Sequence, residues 1–164
     1  MEDKVIYLLF MFGISIHNIE EALWLPAWSK YAKRYTKQVD AQEFRFAVMM
    51  ITIFALLATS AIIMFHQTPI STYIYFGFLG AMMINVVFPH VIATIALKRY
   101  APGLASGILL ILPINSGIIF KSINANIVSF IDVIASTIIV GIVLLICLPI
   151  LLKIGKVIKE YYLN

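Results

Sequence analysis

Five apolar stretches dominate this sequence, at about Val5 to Leu25, Phe46 to Phe65, Ile70 to Leu97, Leu104 to Phe120 and Phe130 to Leu152. A hydrocarbon layer of roughly 30 Å takes about 20 helical residues to cross at about 1.5 Å each, and stretches of this kind use up most of a 164-residue chain. In lipid every backbone polar group has to be satisfied internally, so the fold class expected is an all-α polytopic transmembrane bundle of five spans forming a single membrane domain over 1–164. Only 12% of the residues are charged, against about a quarter in soluble domains, which leaves little for a separate soluble domain. The start Met1-Glu2-Asp3-Lys4 is not the basic leader of a secretory signal, and no small-residue cleavage site precedes Glu20, so the first span is expected to be retained.

The connections between spans carry the orientation signal. Lys30, Lys33, Arg34, Lys37 and Arg45 lie between the first two spans, Lys98 and Arg99 follow the third, and Lys153, Lys156 and Lys159 follow the fifth. Alternating sides puts ten of the 12 basic residues on one face and only Lys4 and Lys121 on the other. The positive-inside rule then predicts a multi-pass cell-membrane protein with its N-terminus outside and its C-terminus in the cytoplasm. In such a chain the net charge of +4 sets orientation; no nucleic-acid motif accompanies it, and the bilayer itself is the expected partner. Trp24 and Trp28 suit interfacial anchoring. The stretch from Trp28 to Phe44 suits either a short helix in the headgroup layer or a solvated loop. Cys147, the single cysteine, reads as a buried packing thiol, and Gly77, Gly80 and Ala81 as close helix packing. The fourth span holds Pro113, Asn115 and Ser116, which predict a kink or a partly unwound turn.

The polar string His17-Asn18-Ile19-Glu20-Glu21 interrupts the first span. An acidic group at the centre of a membrane helix costs about 2.5 to 3.5 kcal/mol, whereas each large aliphatic residue returns only about 0.3 to 0.6. Positions three and four after His17 share its helix face within about 100°. An imidazole and two carboxylates there form half a shell for a divalent metal such as zinc, or an acid/base pair with one carboxyl kept protonated. A partly solvated structural cluster is the alternative.

On the third span Asn85 and His90 flank Pro89, which releases backbone carbonyls beside His90. Counting from Leu25 and Leu97, His17 and His90 lie at a common depth of about 10 to 12 Å. Asn85 reads as interhelical glue or as a group supporting the site, and His90 as a ligand or a hydrogen-bonded core histidine. Arg99 either folds back to the glutamates or contacts lipid phosphate. His66 and Asp132 belong to the opposite face.

His17, Glu20 and Glu21, taken with Asn85, His90, Arg99, Tyr100, Pro102, Gly103 and Pro113, make the sequence resemble the HXXEE-motif family of small bacterial and archaeal membrane proteins. The resemblance implies a multi-helix membrane fold and a grouping of these residues, with no reaction assigned. The order also resembles the inverted zinc-protease motif His-x-x-Glu-His, with Glu21 standing in place of the second histidine.

Three function classes remain open. The first is an intramembrane enzyme on a hydrophobic or lipid-like substrate, with His17, Glu21 and His90 as metal ligands and Glu20 as general base. A metal-free version uses Glu20 or Glu21 as the acid and His17 as proton partner. The second class is a carrier or binding protein for a proton, metal ion or small solute, with Asn115 lining the route. The third is a membrane subunit whose polar residues only fix packing.

Overall fold

The computed structural model describes residues 2–33, 38–65 and 68–162. All regular structure among them is helical, and five helices are long and apolar enough to cross a membrane. We number them α1 (Glu2–Trp28), α2 (Ala41–Met64), α3 (Pro69–Leu97), α4 (Leu104–Asn124) and α5 (Phe130–Tyr162). A 3-10 turn, Ser29–Ala32, prolongs α1 into the loop where a headgroup-layer helix was one expectation.

Helices α1, α2, α4 and α5 outrun their apolar stretches, because hydropathy marks the part that prefers lipid and capping marks where the helix ends. The second begins at Ala41, five residues before Phe46, since Asp40 Oδ1 accepts from the backbone N–H groups of Gln42 at 3.0 Å and Glu43 at 3.2 Å. That Asp-x-x-Glu pattern is a capping signal in the sequence. The fourth runs to Asn124. The fifth continues ten residues past Leu152 through lysines and glutamate that favour helix, with Lys156 and Glu160 paired across one turn at 3.7 Å.

α3 packs against α5, α2 and α4, while α1 packs against α2 and α4. Gly77 and Gly80 let α3 and α5 approach. A Cβ on Gly80 would lie 1.8 Å from Thr137 Oγ1, and one on Gly77 would lie 2.6 Å from the Ser136 carbonyl oxygen. α5 turns Ile131, Ile138, Leu145 and Ile146 outwards, and Cys147 on it is half-buried rather than buried. At one end of the bundle Tyr7, Phe10, Tyr75, Phe76 and Phe78 form an aromatic core, with edge-to-face ring pairs 5.1 to 5.9 Å apart. Such pairs add about 0.5 to 1.5 kcal/mol each beyond the area they bury.

Two of the helices are irregular near the other end. α3 widens into a π-helical stretch at Val86–Val91, and within it Phe88 leaves helical geometry with φ −126° and ψ 111°. Pro89 is the cause: its ring excludes the helical conformation from the preceding residue. α4 carries a second π-helical stretch, Gly107–Ile111, one turn before Pro113 rather than at Asn115. Proline has no N–H for a regular helical bond and crowds the carbonyl four residues back, so the preceding turn is where the helix widens.

Candidate functional site

The irregular turns of α3 and α4 face the polar string of α1. His17 and His90 are almost completely buried, with their rings edge-to-face at 5.2 Å. Glu21 Oε1 lies 2.8 Å from His90 Nε2 and 3.7 Å from His17 Nε2, and its side chain is 12% exposed. Asn85 Nδ2 sits 3.4 Å from His17 Nε2 and 3.3 Å from His90 Nε2, between the two rings. The structure therefore brings together His17, Glu21, His90 and Asn85. Its metal-capable atoms on His17, Glu21 and His90 all lie within 4.8 Å of one another.

Glu20 points a different way, into the turn joining α3 to α4. Its Oε1 accepts from the Gly103 N–H at 2.8 Å and from the Tyr100 hydroxyl. Its Oε2 accepts from the Ser106 N–H at 3.0 Å and from the Ser106 hydroxyl. The carboxylate thus caps the start of α4 from another helix, where free N–H groups and the helix dipole favour an anion. The Tyr100 hydroxyl also accepts from the Ala105 N–H at 3.1 Å. Burial, followed by the bond to Glu20, pushes the Tyr100 phenol above its ordinary range, so it stays a neutral donor. Gly103 has φ +94°, which favours glycine, and a Cβ there would lie 2.6 Å from the His90 ring. Without a side chain at 103 the ring can lie against the start of α4.

Ser106 links the two groups. Its hydroxyl proton goes to Glu20, so its oxygen accepts from His17 Nδ1–H at 3.1 Å. That bond leaves His17 Nε2 as a lone pair aimed at Asn85 and Glu21. His17 Nε2 and the Glu21 carboxylate are then two acceptors side by side, 3.7 Å apart, with Asn85 Nδ2 near the first and His90 Nε2 at 2.8 Å from the second.

The profile of the family described as "Protein of unknown function with HXXEE motif" matches residues 8–118. The chain belongs to this family. It is also similar to "Uncharacterized protein YrkK" of Bacillus subtilis (strain 168), 45% identical over 146 residues that cover 89% of this chain and 92% of that protein. No solved structure matches.

In this HXXEE-motif chain the two glutamates of the motif serve different partners, Glu20 the α3–α4 turn and Glu21 the histidines. The remaining residues expected at the site lie elsewhere. Arg99 neither reaches the glutamates nor joins the cluster: its guanidinium stacks over the Tyr31 ring at 3.7 Å, with Lys30 Nζ 4.9 Å from the same ring centre. Asn115 is fully buried one helix turn beyond the α4 bulge and donates to the Leu79 carbonyl at 2.9 Å; its Oδ1 has no partner among the described residues. Asp132 bonds Ser129 at the start of α5 at 2.6 Å, and His66 lies outside the described residues. Asn18 donates to Thr52 at 2.8 Å, tying α1 to α2.

Sequence reasoning did not find Ser106. A lone serine in an apolar stretch carries no periodic signal, and its only clue is its place three residues after a Pro-Gly turn, where helices take their caps. Beside Ser106 and Glu20 a groove of about 900 Å³ opens along α1 and α4, with Tyr100 and Trp24 on its walls.

Proposed function

We propose that this chain is an intramembrane metal-dependent enzyme, with His17, Glu21 and His90 holding a divalent ion such as zinc and a hydrophobic or lipid-like molecule as substrate. The observation that carries the reading is the convergence of two imidazole nitrogens and one carboxylate oxygen within 4.8 Å. Two histidines and a glutamate are the donor set of catalytic zinc sites that keep a position open for substrate. Tetrahedral ligands about 2.0 Å from zinc stand about 3.3 Å apart, and the separations of 2.8 and 3.7 Å straddle that value. A bound ion would supply Lewis-acid polarisation of an oxygen function and a more acidic water.

The protein's own groups do the positioning. Glu20, through Ser106, holds His17 with Nε2 free, as carboxylates behind metal-binding histidines commonly do. With both its oxygens occupied, Glu20 takes this positioning role in our reading instead of acting as general base. Asn85 spans the two imidazoles. The basic residues sorted ten to two support placing the N-terminus outside and this site towards the cytoplasmic face.

Metal analysis of purified protein equilibrated with zinc tests the reading. Wild type should hold a single ion per chain, and Glu21→Gln or His90→Ala should lower affinity by about a hundredfold or more. Zinc retention no greater in wild type than in His90→Ala would overturn it. Zinc flux through proteoliposomes without turnover of any lipid would make the same site a carrier's.

A further inference from the structure

The groove beside Glu20 has two chemically distinct ends. Ile16, Ile19, Leu109 and Leu110 line its inner part, and Trp28, Lys30 and Tyr31 its outer part. From Ile16 to Lys30 the helix advances about 20 Å, long enough for much of an acyl chain and its headgroup. At the outer end Lys30 and Arg99 converge on the single ring of Tyr31, so two like charges share one place. Trp28 forms part of the wall at this end. Two cations at the mouth, continuous with aliphatic walls, are complementary to one kind of molecule.

We infer that the groove docks a phosphate-bearing lipid, its headgroup at Lys30 and Arg99 and its tail along Ile19, Leu109 and Leu110. The negative charge of Glu20 lies about 15 Å along α1 from Lys30 and is engaged by four donors, so it does not oppose an anion at the mouth. Glu20 and Ser106 line the groove on one side, and Ser106 contacts His17 on the other. The groove and the His17–Glu21–His90 cluster therefore share a wall. The inference deepens the proposed function by naming its substrate class, and for that step it rests on the proposed function. The docking itself depends only on the groove.

Trp24 and Trp28 are the two tryptophans of the chain and both line the groove, so quenching of their fluorescence by brominated acyl chains reads occupancy directly. The protein is placed in phosphatidylcholine vesicles carrying a minor fraction of dibrominated phosphatidic acid, or the same fraction of dibrominated phosphatidylcholine. Wild type should prefer the phosphatidic acid about thirtyfold, the effect of two cations at a membrane surface, and Lys30→Ala should reduce the preference about fivefold. Ala105→Phe, at an exposed position of α4 on the groove wall, should abolish the preference while zinc occupancy stays at the wild-type level. Equal quenching by the two lipids, unaltered by Ala105→Phe, would mean annular lipid only and overturn the inference. A wild type that prefers phosphatidic acid and binds no zinc would leave the docking site standing and remove the proposed function.

Discussion

The two ends of this bundle are built from the same helices on opposite principles. Around Tyr7, Phe10, Tyr75 and Phe76, α1 and α3 are regular, and stability comes from interlocking rings and from glycines that bring α3 onto α5. Around His17, Glu20 and His90, α3 and α4 are irregular, and the chain is held by hydrogen bonds to buried ionisable groups. A regular helix satisfies its own backbone and offers a neighbour only side chains. A helix interrupted by proline or starting at glycine offers N–H groups as well, and in lipid something must take them. Glu20 takes two. The difference teaches that the polar end is more than a tolerated defect: its broken backbone supplies the donors that stabilise a buried carboxylate within an apolar bundle.

The comparison is broken most severely at Glu20. Glu20→Ala leaves the N–H groups of Gly103 and Ser106 and the hydroxyl of Tyr100 without their acceptor. We expect it to cost about 3 to 5 kcal/mol, read as unfolding in mixed detergent micelles. A loss under about 1 kcal/mol would mean that water replaces the carboxylate easily and that the polar end is not held by it.

Paired glycine substitutions sharpen the comparison at a smaller scale. Gly103→Ala forces a side chain into left-handed backbone and against His90, and Gly80→Ala wedges α3 from α5 at Thr137. Each should cost about 1 to 3 kcal/mol. Only Gly103→Ala should weaken zinc retention, because only it displaces a ligand. Similar zinc affinity in both variants would erase the functional distinction between the ends.

The smallest effect lies at the edge of the polar end. Lys159 Nζ donates to Asp40 at 2.7 Å, and this bond, with the N–H groups at the start of α2, holds the Asp40 carboxyl below its ordinary range. Because the folded value is depressed, the stabilisation is present above the ordinary aspartate range and lost as pH falls through the folded value. Exposed pairs contribute little, because solvent screens them. Lys159→Met should therefore flatten the acid limb of the stability curve slightly, and added salt should mask the change. An acid limb identical to wild type at low salt would show that the pair contributes nothing.

The helical spacing that puts His17 and Glu21 four residues apart was visible in the sequence, as was the common depth of His17 and His90. What could not be read was the division of labour between the glutamates. Adjacent residues on a helix point about 100° apart, so Glu20 and Glu21 meet different neighbours, and which neighbour stands where depends on the path of α4. Ser106 was invisible for the same reason. Arg99 does not fold back to the glutamates, because Tyr31 on the 3-10 turn after α1 offers its ring.

By itself the sequence determined the five apolar helices, the break in α3 at Pro89 and the shared helix face of His17, Glu20 and Glu21. These follow from transfer energies and from proline's missing N–H, both of which are local. Tertiary structure decided that Glu20 caps α4, that Ser106 sets the tautomer of His17, that Glu21 faces His90 and that a groove runs beside them. Those contacts join residues 69 to 89 positions apart, and directional bonds over such separations are made only when packing has set the helices at their distances.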